Sequence, residues 1–300
     1  MLRRSLRQSD RSTGGRAVFC ALLTLALAVC VGAGPVFAQG GLGPRPPKPE
    51  PKPAPKPEPK PAPKPRPPAK PTLGQVFGDD LGDGTRIELV YITPGSFAMG
   101  SPTGDEDDRT VHGVTLTRPF LIGRYEVTQA QWTAVMGSNP SYFTGDPTMP
   151  VENVTFNDIQ AFLSKLNGQT EGGWRLPTEA EWEYACRAGT MGEYAGELVP
   201  MAWFDANSDE TTHPVGGKKP NAWGLYDMHG NVWEFCSDWF GPYSADPQTD
   251  PTGPENGSER VYRGGSWNFF SRLCRSSFRD GYAQEVKFND LGFRLVKDVR

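Results

Sequence analysis

A proline-rich stretch near the N-terminus limits where this chain can fold. Residues 44–71 read PRPPKPEPKPAPKPEPKPAPKPRPPAKP. Because proline fixes φ and lacks a backbone donor, the stretch predicts an extended polyproline II spacer and excludes helix and sheet. At about 3.1 Å per residue, it would span on the order of 85 Å. The sequence therefore predicts a linker over residues 39–74 and one folded domain over residues 75–300.

The first 38 residues have the pattern of a secretory signal peptide. Residues 1–16 contain five arginines and one acid, residues 17–33 are mostly apolar, and small residues at positions 36 and 38 precede Gln39. The apolar run is shorter than the roughly 20 residues of a membrane span. We therefore expect export to the periplasm or cell exterior, with no membrane insertion of the mature domain. An uncleaved N-terminal anchor is the alternative.

The folded part of the chain is strongly acidic, although the formal charge of the whole chain is only −4. The N-terminal region and the linker are basic, which leaves 18 basic and 32 acidic residues in 73–300, a net charge of −14. Such a domain repels nucleic acid and anionic membrane surfaces, and it favours bound cations. We expect a protein, peptide or glycan ligand and no nucleic acid.

Local patterns predict a mixed α+β domain. Three segments begin at a capping threonine and end at a glycine, which predicts helices within 128–137, 155–168 and 178–189. Alternating apolar residues predict strands over 87–97 and 114–122. Beyond about residue 190, irregular stretches dominate, and loops of that length are usually functional or held by other groups such as a metal.

Seven blocks in order resemble the formylglycine-generating enzyme family, also called sulfatase-modifying factor domains. The resemblance extends from Ile87 to Val296. The blocks read PGSFAMGS, EVTQAQW, MPVENVTFNDIQAF, WRLPTEAEWEYACRAG, NAWGLYDMHGNVWE, RGGSW and GFRLV. It implies the family's variant of the C-type lectin fold, an α+β fold with little regular secondary structure.

The segment DMHGNVWEF predicts a calcium site, because two carboxylates bracket a Gly-Asn turn and calcium takes six to eight oxygen ligands. By resemblance, Asp227 and Glu234 would supply side-chain oxygens, and Gly230 and Val232 backbone carbonyls. The alternative for Glu234 is an ion pair with an arginine such as Arg263 or Arg294. A second calcium in the family would use Asn207, and Ser208 beside it is a further weak candidate.

The family's oxidases hold Cu(I) between two cysteine thiolates that follow Gly-Gly-Ser. In this chain the second position is Cys274, but the first is Phe269. The resemblance places Ser266 and Trp233 in the same pocket. One thiolate cannot form the two-coordinate soft site that Cu(I) prefers. Copper is therefore not expected.

The three cysteines outside the signal region leave several pairings open. Cys236 follows the Trp-Glu motif that borders the pocket, so a Cys236–Cys274 disulfide, a substitute copper pair and free thiols are all considered. Cys186 is expected to be free, because Leu295 occupies the position of its partner in some family members. The three histidines form no zinc motif, and His229 is expected at the surface.

These patterns favour an exported binding or scaffold module that has lost the two-cysteine oxidase site. The alternative is an oxidase that converts a sulfatase cysteine to formylglycine. A third class, the iron- or cofactor-dependent oxidases of related fold, would need a histidine cluster, which the scattered histidines do not supply. Residue 269 separates the first two readings, since the oxidase requires a cysteine there.

Overall fold

The computed structural model describes residues 69–82 and 84–299. The predicted signal peptide and most of the predicted linker lie outside these residues. Over the described ranges, no helix is long and apolar enough to cross a membrane.

Short strands and a few helices make up the described domain. The strands are β1 Val76–Asp80, β2 Arg86–Ile92, β3 Gly95–Met99, β4 His112–Leu116, β5 Phe120–Gly123, β6 Trp174–Arg175, β7 Ala202–Trp203, β8 His229–Gly230, β9 Trp233–Trp239, β10 Gln248–Thr249, β11 Arg260–Arg263, β12 Arg279–Tyr282, β13 Leu291–Phe293 and β14 Val296–Asp298. The helices are α1 Gln129–Met136, α2 Phe156–Gln169, α3 Glu179–Arg187 and α4 Leu198–Met201, with a 3₁₀ helix at Ser271–Cys274.

The strands form three sheets of three or more strands and one short pair. The five-stranded sheet has the order β1-β2-β5-β14-β6, so the strand nearest the C-terminus lies inside a sheet built from the N-terminal strands. The four-stranded sheet has the order β12-β11-β9-β13, and the three-stranded sheet β10-β4-β3. The parallel pair β7-β8 joins the long loop after residue 200 to the predicted calcium turn.

The predicted helix starts are confirmed. The side chains of Thr128, Thr155 and Thr178 each accept a hydrogen bond from the backbone N–H of the third helical residue, and the side-chain oxygen of that residue accepts one from the threonine backbone N–H. Gly137 ends α1 in a left-handed conformation, as predicted. The predicted stop at Gly168 is wrong, because α2 continues to Gln169 and the Thr170 backbone N–H donates to Leu166.

The core surrounds the central helix α2. Trp132 of α1 stacks on Phe162 of α2 at 5.1 Å between ring centroids, and Phe293 of β13 meets both rings edge-on.

Each predicted strand region contains two strands separated by a tight turn, 86–92 with 95–99 and 112–116 with 120–123. The apolar alternation resumes after each turn, so each predicted strand is two shorter strands in the structure.

Candidate functional site

The Gly-Gly turn after β11 presses the chain against Cys274. Gly264 and Gly265 have φ of +100° and +81°, which L side chains rarely adopt. A Cβ on Gly265 would overlap the Sγ of Cys274 and lie 2.9 Å from its Cα. The turn therefore requires glycine for both conformation and space, and it closes directly over the thiol.

The family resemblance assigns Phe269 to the position of the oxidases' first cysteine. Its ring meets the ring of Trp233 at 5.6 Å and 67°, and it packs against the main core. Trp233 is buried and also contacts the rings of Tyr262 and Phe278. At this point the chain supplies aromatic packing and no metal ligand.

Cys274 is fully buried at the end of the 3₁₀ helix. Burial raises the pKa of its thiol far above the usual range, and nearby Asp205 and Cys186 raise it further. The backbone carbonyl of Cys274 accepts a 2.7 Å hydrogen bond from Nδ1 of His229. A protonated, enclosed thiol is a poor nucleophile and a poor soft-metal ligand.

His229 is a buried positioning residue, so the expectation of a surface histidine is wrong. Since a carbonyl can only accept, Nδ1 carries the proton, and Nε2 accepts from the backbone N–H of Ala195 at 3.1 Å. Burial lowers its pKa to about 4, so the ring is neutral. His229 thus joins the 3₁₀ helix to the loop before α4, two segments that are remote in sequence.

Cys186, Cys236 and Cys274 are all free and buried. The Cys236–Cys274 disulfide considered from the sequence is absent from the structure. Cys236 packs in the core cluster with Trp182 and Val261, whereas Cys274 packs with Ala202 and Phe204. The thiol of Cys186 lies nearer to the Cys274 segment, 3.8 Å from Nε2 of His229.

Ser266 is fully buried, and its hydroxyl donates to Oδ2 of Asp290 at 3.2 Å. The next residue, Trp267, donates from its ring nitrogen to the carbonyl of Asn289. Ser266 and Cys274 both lie beside the Gly-Gly turn. The hydroxyl is held by a carboxyl that the sequence did not single out.

The predicted calcium turn contains three residues with positive φ, a backbone conformation that residues other than glycine rarely adopt. Asp227, Gly230 and Asn231 have φ of +56°, +96° and +62°. Asp227 is buried; its Oδ2 accepts from Gly216 N at 2.6 Å, while its Oδ1 has no hydrogen-bond partner among the described residues. An unpartnered buried carboxylate oxygen is costly, which makes Asp227 the clearest candidate cation ligand of the turn.

Glu234 faces an arginine, which is the alternative considered from the sequence. Its Oε1 accepts from Nη2 of Arg294 at 2.7 Å, and its Oε2 from Nε of the same arginine at 2.8 Å. Trp182 adds a 2.6 Å bond from its ring nitrogen to Oε2. Both residues of the ion pair are fully buried. Both carboxylate oxygens therefore bond to Arg294, and the positive charge of this arginine would repel a cation on the same oxygens.

Glu126 also lies beside this turn, although no sequence pattern marked it. Its Oε1 accepts from Val232 N at 3.0 Å, and its Oε2 from the Asn231 side chain at 2.7 Å. Burial, followed by the charges of Asp227 and Glu234, raises its pKa well above the usual value. Three buried carboxyls therefore surround one arginine, Arg294, so the region carries excess negative charge unless a proton or cation is bound.

The two candidate ligands of a second calcium, Asn207 and Ser208, form hydrogen bonds within the fold. Asn207 accepts from Phe204 N at 2.9 Å and donates to the Ala202 carbonyl at 3.0 Å, so it closes its own turn. The Ser208 hydroxyl donates to the Trp267 carbonyl at 2.8 Å. In the part of the chain that the structure describes, no group of three or more His, Cys, Asp or Glu side chains is arranged to hold a metal.

Rings lead from the surface loop 141–143 to the buried site. Tyr142 is 68% exposed, and its ring meets that of Phe143 edge-on at 5.0 Å. Phe143 in turn meets Trp267 edge-on at 5.3 Å. We call Tyr142, Phe143 and Trp267 the aromatic file. Phe270, 38% exposed, adds a further ring three residues beyond Trp267.

Two surface clefts lie elsewhere. One, of about 650 Å³, is lined by neutral side chains such as Gln129 and Asn139 beside α1. The other, of about 480 Å³, lies at the start of α3 and is lined by residues such as Arg118 and Glu181. Neither is lined by Ser266 or Cys274, so the buried site has no opening through them.

Comparison with known proteins agrees with the sequence blocks. A family model described as Sulfatase-modifying factor enzyme 1-like domain matches residues 81–299. The formylglycine-generating enzyme of Streptomyces coelicolor is 34% identical over 240 residues, 73% of this chain and 69% of that protein. The chaperone protein LppX of Paenibacillus barcinonensis is 30% identical over 265 residues, 70% of this chain and 89% of that protein.

A solved structure shows the same architecture. Treponema denticola variable protein 1 superimposes with a TM-score of 0.70 at 33% identity, covering 75% of this chain and 99% of that one. The family match and this superposition agree on an α+β domain. The chain therefore belongs to the formylglycine-generating enzyme, or sulfatase-modifying factor, family, and its fold is that family's variant of the C-type lectin fold.

Proposed function

We propose that this protein is an exported binding or scaffold module that lacks the two-cysteine copper oxidase site of its family. The observation that carries the proposal is Phe269, whose ring packs on Trp233 at the position that the resemblance assigns to the oxidase's first cysteine. Cys274 alone is enclosed and protonated. Since Cu(I) prefers two soft ligands, the pocket has lost the donor set for oxygen activation.

The ligand-binding face in this proposal is the aromatic file together with Phe270. Tyr and Trp side chains provide large contact areas with little loss of conformational freedom, and they are enriched at interfaces. Tyr142 and Phe270 are exposed, while Phe143 and Trp267 support the loop from beneath. The face suits a protein, peptide or glycan ligand, and the acidic domain disfavours nucleic acid. The predicted spacer would hold this face away from the cell envelope.

Calcium is proposed as a structural ion at the 227–234 turn. Asp227 supplies an unpartnered carboxylate oxygen, and the carbonyls of Gly230 and Val232 are the further candidate ligands. A cation bound there would also favour the ionised form of Glu126, whose pKa burial and the charges of Asp227 and Glu234 raise in its absence. Glu234 is not a direct ligand of the ion in this proposal, because its oxygens are bonded to Arg294 and Trp182. Its negative charge favours a cation at the turn.

The oxidase alternative is supported by the 34% identity to a formylglycine-generating enzyme. A cysteine-containing CxPxR peptide, incubated with the protein, copper and reductant, distinguishes the two. We expect mass spectrometry to show unchanged peptide, while the Streptomyces coelicolor enzyme forms the aldehyde in parallel. Aldehyde formation by this protein that disappears in Cys274→Ser would contradict the proposal, and Cys186→Ser would then test whether Cys186 is the second ligand.

A further inference from the structure

The cleft beside α1 is lined, among the residues that the structure describes, by neutral side chains alone. Its volume of about 650 Å³ lies within the range of small-molecule sites. One wall is the surface of α1, and the other is loop 139–147, which packs on the start of the helix where Ala130 N donates to the Pro147 carbonyl at 2.9 Å. The second cleft differs, because arginines and carboxylates such as Arg175 and Glu181 line it.

One buried side chain, Gln129, joins the two walls of the cleft. Its Nε2 donates to the Phe143 carbonyl at 2.7 Å and to the Pro150 carbonyl at 3.2 Å. Its Oε1 accepts from Nδ2 of Asn139 at 2.8 Å. Both nitrogen hydrogens and the oxygen of this amide are therefore engaged within the fold. The shape of the cleft is preorganised, since a ligand does not have to order the loop.

Two polar groups of the lining are available to a ligand. Thr133 is exposed on α1, and its hydroxyl forms no hydrogen bond within the described part of the chain. Asn139 uses one Nδ2 hydrogen on Gln129, and its Oδ1 accepts from Ser141 N at 3.1 Å. The second Nδ2 hydrogen of Asn139 remains free. The cleft thus offers a fixed amide donor and a hydroxyl that can both donate and accept.

The other lining residues restrict the class of ligand. Among the described residues that line the cleft, none has an aliphatic or aromatic side chain larger than proline. Apolar groups gain affinity by burying surface, so a lipid chain or an apolar peptide side chain would gain little here. A charged ligand would find no opposite charge in the lining. An uncharged ligand with many hydroxyls matches the groups that are present.

We propose that this cleft binds a neutral glycan through the Thr133 hydroxyl and the Asn139 amide. A sugar hydroxyl oxygen accepts from Nδ2 of Asn139, and a second hydroxyl pairs with that of Thr133. Tyr142, 68% exposed, lies three residues after Asn139 in the loop that forms one wall. The proposal rests on the proposed binding function, because it names the ligand class and places the contact beside the exposed end of the aromatic file.

Glycan binding by the intact protein tests the proposal. An array of neutral, sialylated and sulfated glycans identifies the preferred class, and calorimetric titration with the tightest neutral oligosaccharide measures Kd. We expect neutral glycans to bind. Thr133→Val removes the hydroxyl at nearly equal size and should weaken binding by about 3–10-fold, the effect of one neutral hydrogen bond. Thr133→Ser keeps the hydroxyl and should bind as the intact protein does.

A second pair of variants tests the position of the site. Ala134→Arg places a long, charged side chain in the cleft and should abolish binding. Ala161→Arg, at an exposed alanine of α2, is the matched control and should leave Kd unchanged. Melting temperatures of the two variants show whether each one is folded.

An array without a bound neutral glycan would overturn the site, and so would binding that survives in Ala134→Arg. Equal affinities of Thr133→Val and Thr133→Ser, or a preference for sialylated or sulfated glycans, would also contradict it. Glycan binding that survives in Ala134→Arg but is lost in Tyr142→Ala would place the ligand on the aromatic file alone. In that case the proposed binding function stands and the cleft site fails, so the two failures are distinguishable.

Discussion

Glu234→Gln is expected to lower the free energy of unfolding by about 3–5 kcal/mol, because it breaks a fully buried ion pair while leaving Arg294 charged. The amide nitrogen of glutamine would face Arg294 or Trp182, both of which are donors at this carboxyl. For a domain of this size the melting temperature should fall by roughly 10 °C. Thermal and urea unfolding in EGTA, which removes any calcium contribution, measure the change.

The same substitution at a surface pair provides the control. Glu88 bonds Arg124 at 2.7 Å, but its side chain is 38% exposed. Exposed pairs contribute about 0–1 kcal/mol, so Glu88→Gln should leave the melting temperature almost unchanged. Equal losses in the two variants would mean that burial of the Glu234–Arg294 pair is not what makes it important.

Calcium is expected to raise the melting temperature of the intact protein. Binding to the native state alone adds about 2.7 kcal/mol at one hundred times Kd. Asp227→Ala should remove the response, because it deletes the buried oxygen that lacks a partner. Asp246→Ala, at an exposed acid, should retain it. Melting curves that coincide in calcium and EGTA would eliminate the site, and a response that survives in Asp227→Ala would place the ion elsewhere.

Local signals in the sequence located the helices well. Thr128, Thr155 and Thr178 are caps whose bonding partners lie three residues away, so short-range chemistry determines where each helix begins. The end of α2 was missed because Gly168 tolerates a helical conformation and the final bond is made by Thr170. The strand pairings were not predictable, since β14 joins β5 and β6 across more than one hundred residues.

The family blocks pointed to the residues of the candidate site but not to the bonds that these residues form. Glu126 was missed because it bonds to groups that only the fold brings near, such as the Asn231 side chain. His229 was expected at the surface because no local pattern reports its bond to Cys274, 45 residues later. Glu234 resembled a metal ligand, and the fold shows that its oxygens bond to Arg294, 60 residues away.

In the proposed function, Phe269 removes the copper site from a pocket that retains Cys274. Cu(I) titration against a competing chelator measures this directly in the intact protein, in Phe269→Cys and in Phe269→Cys with Cys274→Ser. We predict no Cu(I) complex for the intact protein and a one-to-one complex for Phe269→Cys that disappears when Cys274 is also replaced. Tight Cu(I) binding by the intact protein, lost in Cys274→Ser, would contradict the account.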